Sequence, residues 1–106
     1  MCLLVRERRA YEDVFVDGTV HDDYRIDYLR QHIQAVGEAL QDGVKVLAYL
    51  PWGPIDLVSS GTAEMSKRYG FVYVDLDDHG KGTGNRFKKD SFAWYQKVIA
   101  SRGSEL

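Results

Sequence analysis

The sequence predicts an α/β fold made of β/α units, in a chain too short to complete the parallel sheet or barrel that such units build. Three observations predict it. Between residues 22 and 41, "DDYRIDYLRQHIQAVGEALQ" sets Ile26, Leu29, Ile33, Val36 and Leu40 at alternating steps of three and four, the spacing of one buried helical stripe. "VKVLAYL", 44–50, follows at once and is apolar at nearly every position, as expected of a strand covered on both faces of a parallel sheet. The resulting order, strand, helix, strand, helix, argues for right-handed β/α units. Two parallel strands cannot satisfy their own edges or cover both faces, so the pattern implies a larger sheet or barrel than the chain contains.

Taken in order, "CLLV", 2–5, reads as a short buried strand, although Arg6, Glu7, Arg8 and Arg9 are an odd way to leave one. Asp22 or Asp23 can cap the long helix, where free N–H groups want an anionic acceptor, and Gly43 stops it in a left-handed conformation. Pro51 ends the apolar strand. A second strand is expected over Phe71–Val74, and residues 76–87 read as a polar, glycine-rich loop. Ser91–Ser101 gives another helix, with Phe92, Tyr95, Val98 and Ile99 inward and Gly103 as its stop.

Composition excludes several functions. A chain of 106 residues, 44% hydrophobic and 12% aromatic, is one small globular domain that needs a core. Its 14 basic and 16 acidic residues leave a net charge of −2, which supports neither a nucleic-acid partner nor an anionic membrane, so any basic site must be local. One cysteine, Cys2, cannot make an internal disulfide; no apolar run approaches the roughly 18 residues of a membrane span, and the start lacks a signal-peptide core. A reducing cytoplasm is the expected setting.

"DLDDHGKGTGNR", 75–86, imitates a calcium loop but puts His79 at its fifth position and Arg86 at its twelfth, where a bidentate glutamate belongs. No G-K-[ST] turns its glycines into a phosphate loop. His21, His32 and His79 lack metal-ligand spacing and stand beside no nucleophile, so His32 reads as packed against the helical stripe and His21 as part of a turn. No metal and no cofactor is expected. "PWGPIDLVSSGTAEMSKRY", 51–69, differs, because it gathers an indole, a carboxylate, hydroxyls, a lysine, an arginine and a phenol behind a strand's C-terminal end, where α/β folds collect ligands. Singly, Trp52 reads as core, Asp56 as a loop cap and Lys67 as a solvated charge. Together they make an oxyanion site one candidate, beside the structural reading of each residue.

"YLPWGPID", "SKRYGFVYVD" and "KKDSFAWYQKVIAS", with "HDDYRIDYLRQHI" before them, resemble the C-terminal quarter of the β-glucosidase family of retaining glycoside hydrolases, glycoside hydrolase family 1, and within it the bacterial 6-phospho-β-glucosidase branch. The resemblance runs from about Ala10 to the C-terminus, and four motifs in the right order make it far more specific than any one of them. It implies a (β/α)8 TIM barrel of which this chain supplies the last two β/α units, about a quarter, with 44–50 as the eighth strand and 91–101 in the closing helix. It also implies that Ser59, Lys67 and Tyr69 grip the 6-phosphate of the glycone. A dianion needs donors, and each hydrogen bond to a charged group is worth roughly 1.5–3 kcal/mol. Family members that take plain glucosides carry Glu at the position of Ser59, where a carboxylate would repel phosphate. Trp52 matches the platform under the sugar ring, while Arg68 and Asp56 read as scaffold. Ser60 stands where many members have Trp, those acting on galactoside phosphates included; it leans toward gluco substrates and leaves the 6-phospho-β-galactoside alternative open.

A retaining glycosidase needs two carboxyl groups about 5–5.5 Å apart. By the resemblance the acid/base belongs to an earlier strand and the nucleophile to an E-N-G sequence ahead of Ala10 and Tyr11, a count that lands on Val5, amid "VRERR". No catalytic residue is therefore assigned. Residues 1–9 read as a divergent or out-of-frame N-terminus to the family segment 10–106: GAG-AAC-GG, coding E-N-G, read one base earlier after an A, gives Arg-Glu-Arg, as in Arg6, Glu7 and Arg8. Glu7 as a surrogate nucleophile is the other reading. Two function classes follow. The chain is a piece of a hydrolase that converts 6-phospho-β-D-glucosides to glucose 6-phosphate and aglycone, inert alone; or it is a non-enzymatic product that at most binds phosphate or joins another chain through its sheet edges. The expected partner is the phosphorylated β-glucoside, with no nucleic acid and no membrane, and the fragment is expected to self-associate.

Overall fold

Two parallel strands joined through a long helix organise the molecule. The computed structural model describes residues 13–106 and, before them, the backbone of residues 2–5. The expectations for Arg6–Arg9, Glu7 included, and for Ala10 and Tyr11 lie outside the described residues. β1 (Cys2–Val5) pairs in parallel with β4 (Ala48–Pro51), Cys2 opposite Ala48 and Val5 opposite Pro51, and α1 (Asp23–Gln41) lies in the connection. Gly43 ends α1 as expected. At φ +88° it donates its N–H to the Leu40 carbonyl (3.1 Å), and Val44 donates to Ala39 (2.9 Å), closing off carbonyls the helix cannot pair.

The strand expected over 44–50 is shorter and later. β1 offers four residues to pair with, so a ladder exists only over 48–51 and residues 44–47 are outside it. Nor is the strand covered on both faces: Leu47 is 69% exposed and Leu50 48%. The α1 stripe is covered only in part, with Leu29 buried, Ile26, Ile33 and Val36 half-buried and Leu40 exposed. The described residues form no closed barrel that could cover these groups.

Two antiparallel hairpins complete the structure. β2 (Phe15–Val16) and β3 (Thr19–Val20) turn at Asp17-Gly18, both at positive φ, the turn that matches strand twist. β5 (Val72–Val74) pairs with β6 (Arg86–Lys88), so residues 86 and 87, expected in a loop, are strand. The hairpins meet where the Phe15 ring lies 4.8 Å from Tyr73 and 4.7 Å from Phe87, and Thr19 Oγ1 donates to the Lys88 carbonyl at 2.7 Å. α2 (Asp90–Ala100) presents Val98 to the core and stacks Tyr95 on Phe71 at 4.8 Å, but Ile99, expected inward, is 63% exposed. Arg102 takes the left-handed position after α2, with Gly103 following it. The core comprises Val20, Leu29, Met65, Tyr69, Phe71, Val74 and Val98.

Candidate functional site

The segment that leaves β4 is tied down by one carboxylate. Asp56 is buried and accepts from four donors: Gly70 N–H (3.0 Å), Lys89 Nζ (2.8 Å), Arg68 Nη1 (3.2 Å) and Val74 N–H (3.4 Å). The backbone comes equally close. Asp56 N–H donates to Val72 O at 3.0 Å, Phe71 N–H donates to Pro54 O at 2.9 Å, and a Cβ at Gly70 would sit 2.4 Å from the Ile55 carbonyl carbon. Only glycine fits there. Asp56 is therefore the loop cap the sequence suggested, with no acceptor capacity left over for chemistry.

Arg68 stands between Lys67 and Tyr69 with φ 43° and ψ 72°, a left-handed conformation that costs a non-glycine residue roughly 1–2 kcal/mol. Its surroundings enforce it. The guanidinium donates to Asp56, to Val74 O (2.7 Å) and to Leu76 O (2.8 Å) and lies 4.2 Å over the Tyr73 ring, while the Arg68 carbonyl accepts from Arg25 Nη2 at 2.6 Å. Arg25 reaches it from α1 and pairs with Asp22 and, at 3.3 Å, with Asp13. Asp13 also takes Lys89 Nζ at 2.5 Å and the Tyr24 hydroxyl, so the charges run Asp22, Arg25, Asp13, Lys89, Asp56, Arg68. Burial alone would raise the Asp13 pKa; Arg25 and Lys89 beside it hold it below the usual carboxylate range. Asp22 sits at the N-terminus of α1, as expected, but its carboxylate caps α2 instead, accepting Ser91 N–H (2.9 Å) and Oγ–H (2.5 Å). The same carboxylate takes the Arg25 guanidinium, a charged donor.

The candidate ligands fall in two groups. Trp52 and Tyr69 share a narrow crevice with Arg25, Tyr28 and Phe71, and the buried Trp52 Nε1 has no hydrogen-bond acceptor among the described residues. Ser59 lies outside that crevice. It is 1% exposed, in a turn where its N–H donates to Glu64 O (3.0 Å) and its hydroxyl accepts from Thr62 Oγ1 (3.0 Å). Lys67 closes the 3-10 turn Met65–Lys67, half-buried and without an ion pair among the described residues. Ser66 beside it is held through its N–H (2.7 Å) and hydroxyl (2.9 Å) by Asp78, whose pKa those bonds lower.

The remaining candidates are structural. Asp77 Oδ1 accepts the His79 and Lys81 N–H groups at 2.8 Å and Asp75 accepts Thr83, so the glycine-rich loop satisfies itself, and no three His, Cys, Asp or Glu among the described residues could hold a metal. His32 is half-buried, but against Tyr28 and not the apolar stripe: the rings lie 4.1 Å apart, tilted by 35°, and its Nδ1 is 2.8 Å from the Tyr28 carbonyl oxygen. Sequence reasoning missed Asp13, Arg25, Lys89 and Asp78. Each acts on a partner at least twelve residues away, or through a ring of mutual contacts, and no local spacing signals that.

Comparison with known proteins places this geometry. The model for glycosyl hydrolase family 1 matches residues 3–104. The chain is 60% identical to aryl-phospho-beta-D-glucosidase BglH of Bacillus subtilis (strain 168), over 92% of its own length and 21% of that protein, and 58% identical to 6-phospho-beta-glucosidase AscB of Escherichia coli (strain K12), over 92% and 20%. Among solved structures, a Thermotoga maritima family 1 glycoside hydrolase complexed with a cyclophellitol analogue transition state mimic superposes with a TM-score of 0.78 at 41% identity, covering 90% of this chain and 20% of that one. The chain thus spans about a fifth of the length of the relatives it matches. No helix among the described residues is long and apolar enough to cross a membrane.

Proposed function

This chain belongs to glycosyl hydrolase family 1, and from that premise we propose that it carries the glycone-phosphate subsite of a retaining hydrolase that cleaves 6-phospho-β-D-glucosides to glucose 6-phosphate and aglycone. One observation carries the reading: a lysine with no ion pair among the described residues, a phenol and a buried serine stand on a single loop pinned by Asp56 and Arg68, and the phenol shares a crevice with the indole of Trp52. Lys67 supplies charge. Ser59, accepting from Thr62, keeps its own hydroxyl proton to donate, and by the family resemblance the Tyr69 phenol is the third ligand. A glutamate at 59 would put an anion beside a dianion in a buried turn. Trp52 offers the flat apolar surface that a sugar's C–H face suits. The names of the relatives, an aryl-phospho-β-D-glucosidase and a 6-phospho-β-glucosidase, support the same substrate class.

The part assigned to this chain is binding and orientation. We place the nucleophile and the acid/base outside the described residues, because Asp13, Asp22 and Asp56 are sealed in buried ion pairs and cannot meet a sugar. No metal or cofactor takes part. Glucose 6-phosphate is charged and does not cross a bilayer unaided, which puts the reaction in the cytoplasm. The second reading, a chain that binds phosphate or a partner without catalysis, draws on the exposure of Leu47 and Leu50.

The test grafts residues 10–106 onto the upstream four-fifths of the Bacillus subtilis relative. Lys67→Ala should raise KM for p-nitrophenyl 6-phospho-β-glucoside roughly tenfold or more, the worth of one charged hydrogen bond, with kcat less affected. Ser59→Glu should do more, adding repulsion to a lost donor. Both should spare the unphosphorylated glucoside. Equal loss on both substrates would assign Ser59 and Lys67 to loop structure and end the phosphate reading, and faster turnover of the 6-phospho-β-galactoside would move the substrate to the galacto series.

A further inference from the structure

We propose that Arg25 is a positioning residue for the phosphate grip, acting through the carbonyl of Arg68; this rests on the phosphate reading of Lys67 and Tyr69. The two ligands flank a single residue, so their relative aim is set by the backbone angles of Arg68, which is left-handed. The Arg68 guanidinium anchors a side chain, and Asp56 holds the Gly70 N–H beyond the next peptide unit. That peptide carries the Arg68 carbonyl at one end and the Tyr69 N–H at the other, and Arg25 Nη2 holds the carbonyl at 2.6 Å. Arg25 is itself fixed. It is 2% exposed, paired to Asp13 and Asp22, and lines the crevice shared by Trp52 and Tyr69. Loss of this bond lets the peptide turn toward the right-handed or extended conformations an arginine prefers, and the relative aim of Lys67 and Tyr69 changes with it. Lysine is not equivalent, because its donors share one nitrogen, whereas Arg25 meets Asp22 through Nη1 and the Arg68 carbonyl and Asp13 through Nη2.

The test titrates the same graft of residues 10–106, labelled with nitrogen-15 in those residues, with glucose 6-phosphate and with glucose, reading the amides of Lys67 and Tyr69. The wild type should bind glucose 6-phosphate in preference to glucose, and Lys67→Ala should abolish the preference. Arg25→Lys should weaken glucose 6-phosphate about tenfold more than it weakens glucose, while the far-ultraviolet circular dichroism stays as in the wild type. Arg68→Asn and Arg68→Val both remove the guanidinium but differ in tolerance of the left-handed turn, so Asn should bind at least about fivefold more tightly than Val. This pair tests the left-handed turn through which Arg25 is proposed to act, even if Arg25→Lys fails to fold. Wild-type affinity in a folded Arg25→Lys, or equal affinity of the Asn and Val variants, overturns the role of Arg25 while leaving the phosphate reading intact. A wild type that does not prefer the phosphate, or a Lys67→Ala that keeps the preference, overturns the phosphate reading and this inference with it.

Discussion

Lys88 and Lys89 are adjacent lysines ahead of a helix, indistinguishable by any local rule. Folded, Lys88 is exposed with its ammonium 4.7 Å from the centre of the Phe92 ring, whereas Lys89 is 2% exposed and bridges Asp13 and Asp56. Removing one partner of a buried pair leaves an uncompensated charge, so Lys89→Met should cost roughly 3–5 kcal/mol. Lys88→Met should cost less than about 1 kcal/mol. Urea denaturation of the soluble variants measures both, and equal midpoints would show that the buried network carries no stability. His21 makes the converse case on the surface. Its hydrogen bond to Asp90, 2.6 Å long, raises its pKa above 6.5. A folded-state pKa raised above the unfolded one stabilises fully below the unfolded value and is lost as pH rises through the folded value. The His21 midpoint in a proton NMR titration should therefore lie above 6.5 and fall back toward it in Asp90→Asn; unchanged midpoints would dissolve the pair.

At the scale of elements, legibility followed length. α1 was readable because its apolar spacing repeats over five turns and ends at a glycine, a signal no competing structure shares. β6 was not, since "RFK" is three residues whose strand character exists only through pairing with β5. The β2–β3 hairpin did leave a mark, Asp17-Gly18 between β-formers, and that signal was there to be used. The contact between the 53–57 and 68–74 segments is the element-level feature with the sharpest consequence. A Cβ at Gly70 would come 2.4 and 2.5 Å from backbone atoms of Ile55 and Asp56, which cannot yield as a flexible side chain can. Gly70→Ala should destabilise by about 3 kcal/mol and speed amide exchange at Val74, while Gly37→Ala, with open space around its Cβ, should not destabilise. Similar exchange in the two variants would mean that the two segments part easily.

For the whole molecule the governing fact is uncovered apolar surface. Val44, Leu47 and Leu50 are exposed on the segment that runs into β4 and on β4 itself, and a groove of about 490 Å³ runs between Ile55, Phe71, Val72, Phe92, Tyr95 and Ile99. Exposed apolar patches of this kind drive association. The isolated chain should self-associate, and a monodisperse monomer at micromolar concentration in analytical ultracentrifugation would show that the edges are closed in solution. It should also leave p-nitrophenyl 6-phospho-β-glucoside intact, because no covalent route exists without both carboxylates. Turnover that survives rigorous purification and vanishes in Glu7→Gln would reverse that conclusion.

The sequence by itself determined the β/α order, the long helix with its stop, the loop on which Trp52, Ser59, Lys67 and Tyr69 stand, and the family. These are local signals: periodicity, punctuation by glycine and proline, and contiguous motifs that survive in a fifth of the relatives' length. Only the tertiary structure decided what holds that loop. Asp13, Arg25, Asp56 and Lys89 come from four different segments, and an ion-pair network depends on positions in space that no spacing along the chain records. Burial was decided there too, because a side chain's exposure depends on which neighbours are present. Leu47 and Leu50 have the composition of a strand interior and, lacking a neighbour, face water.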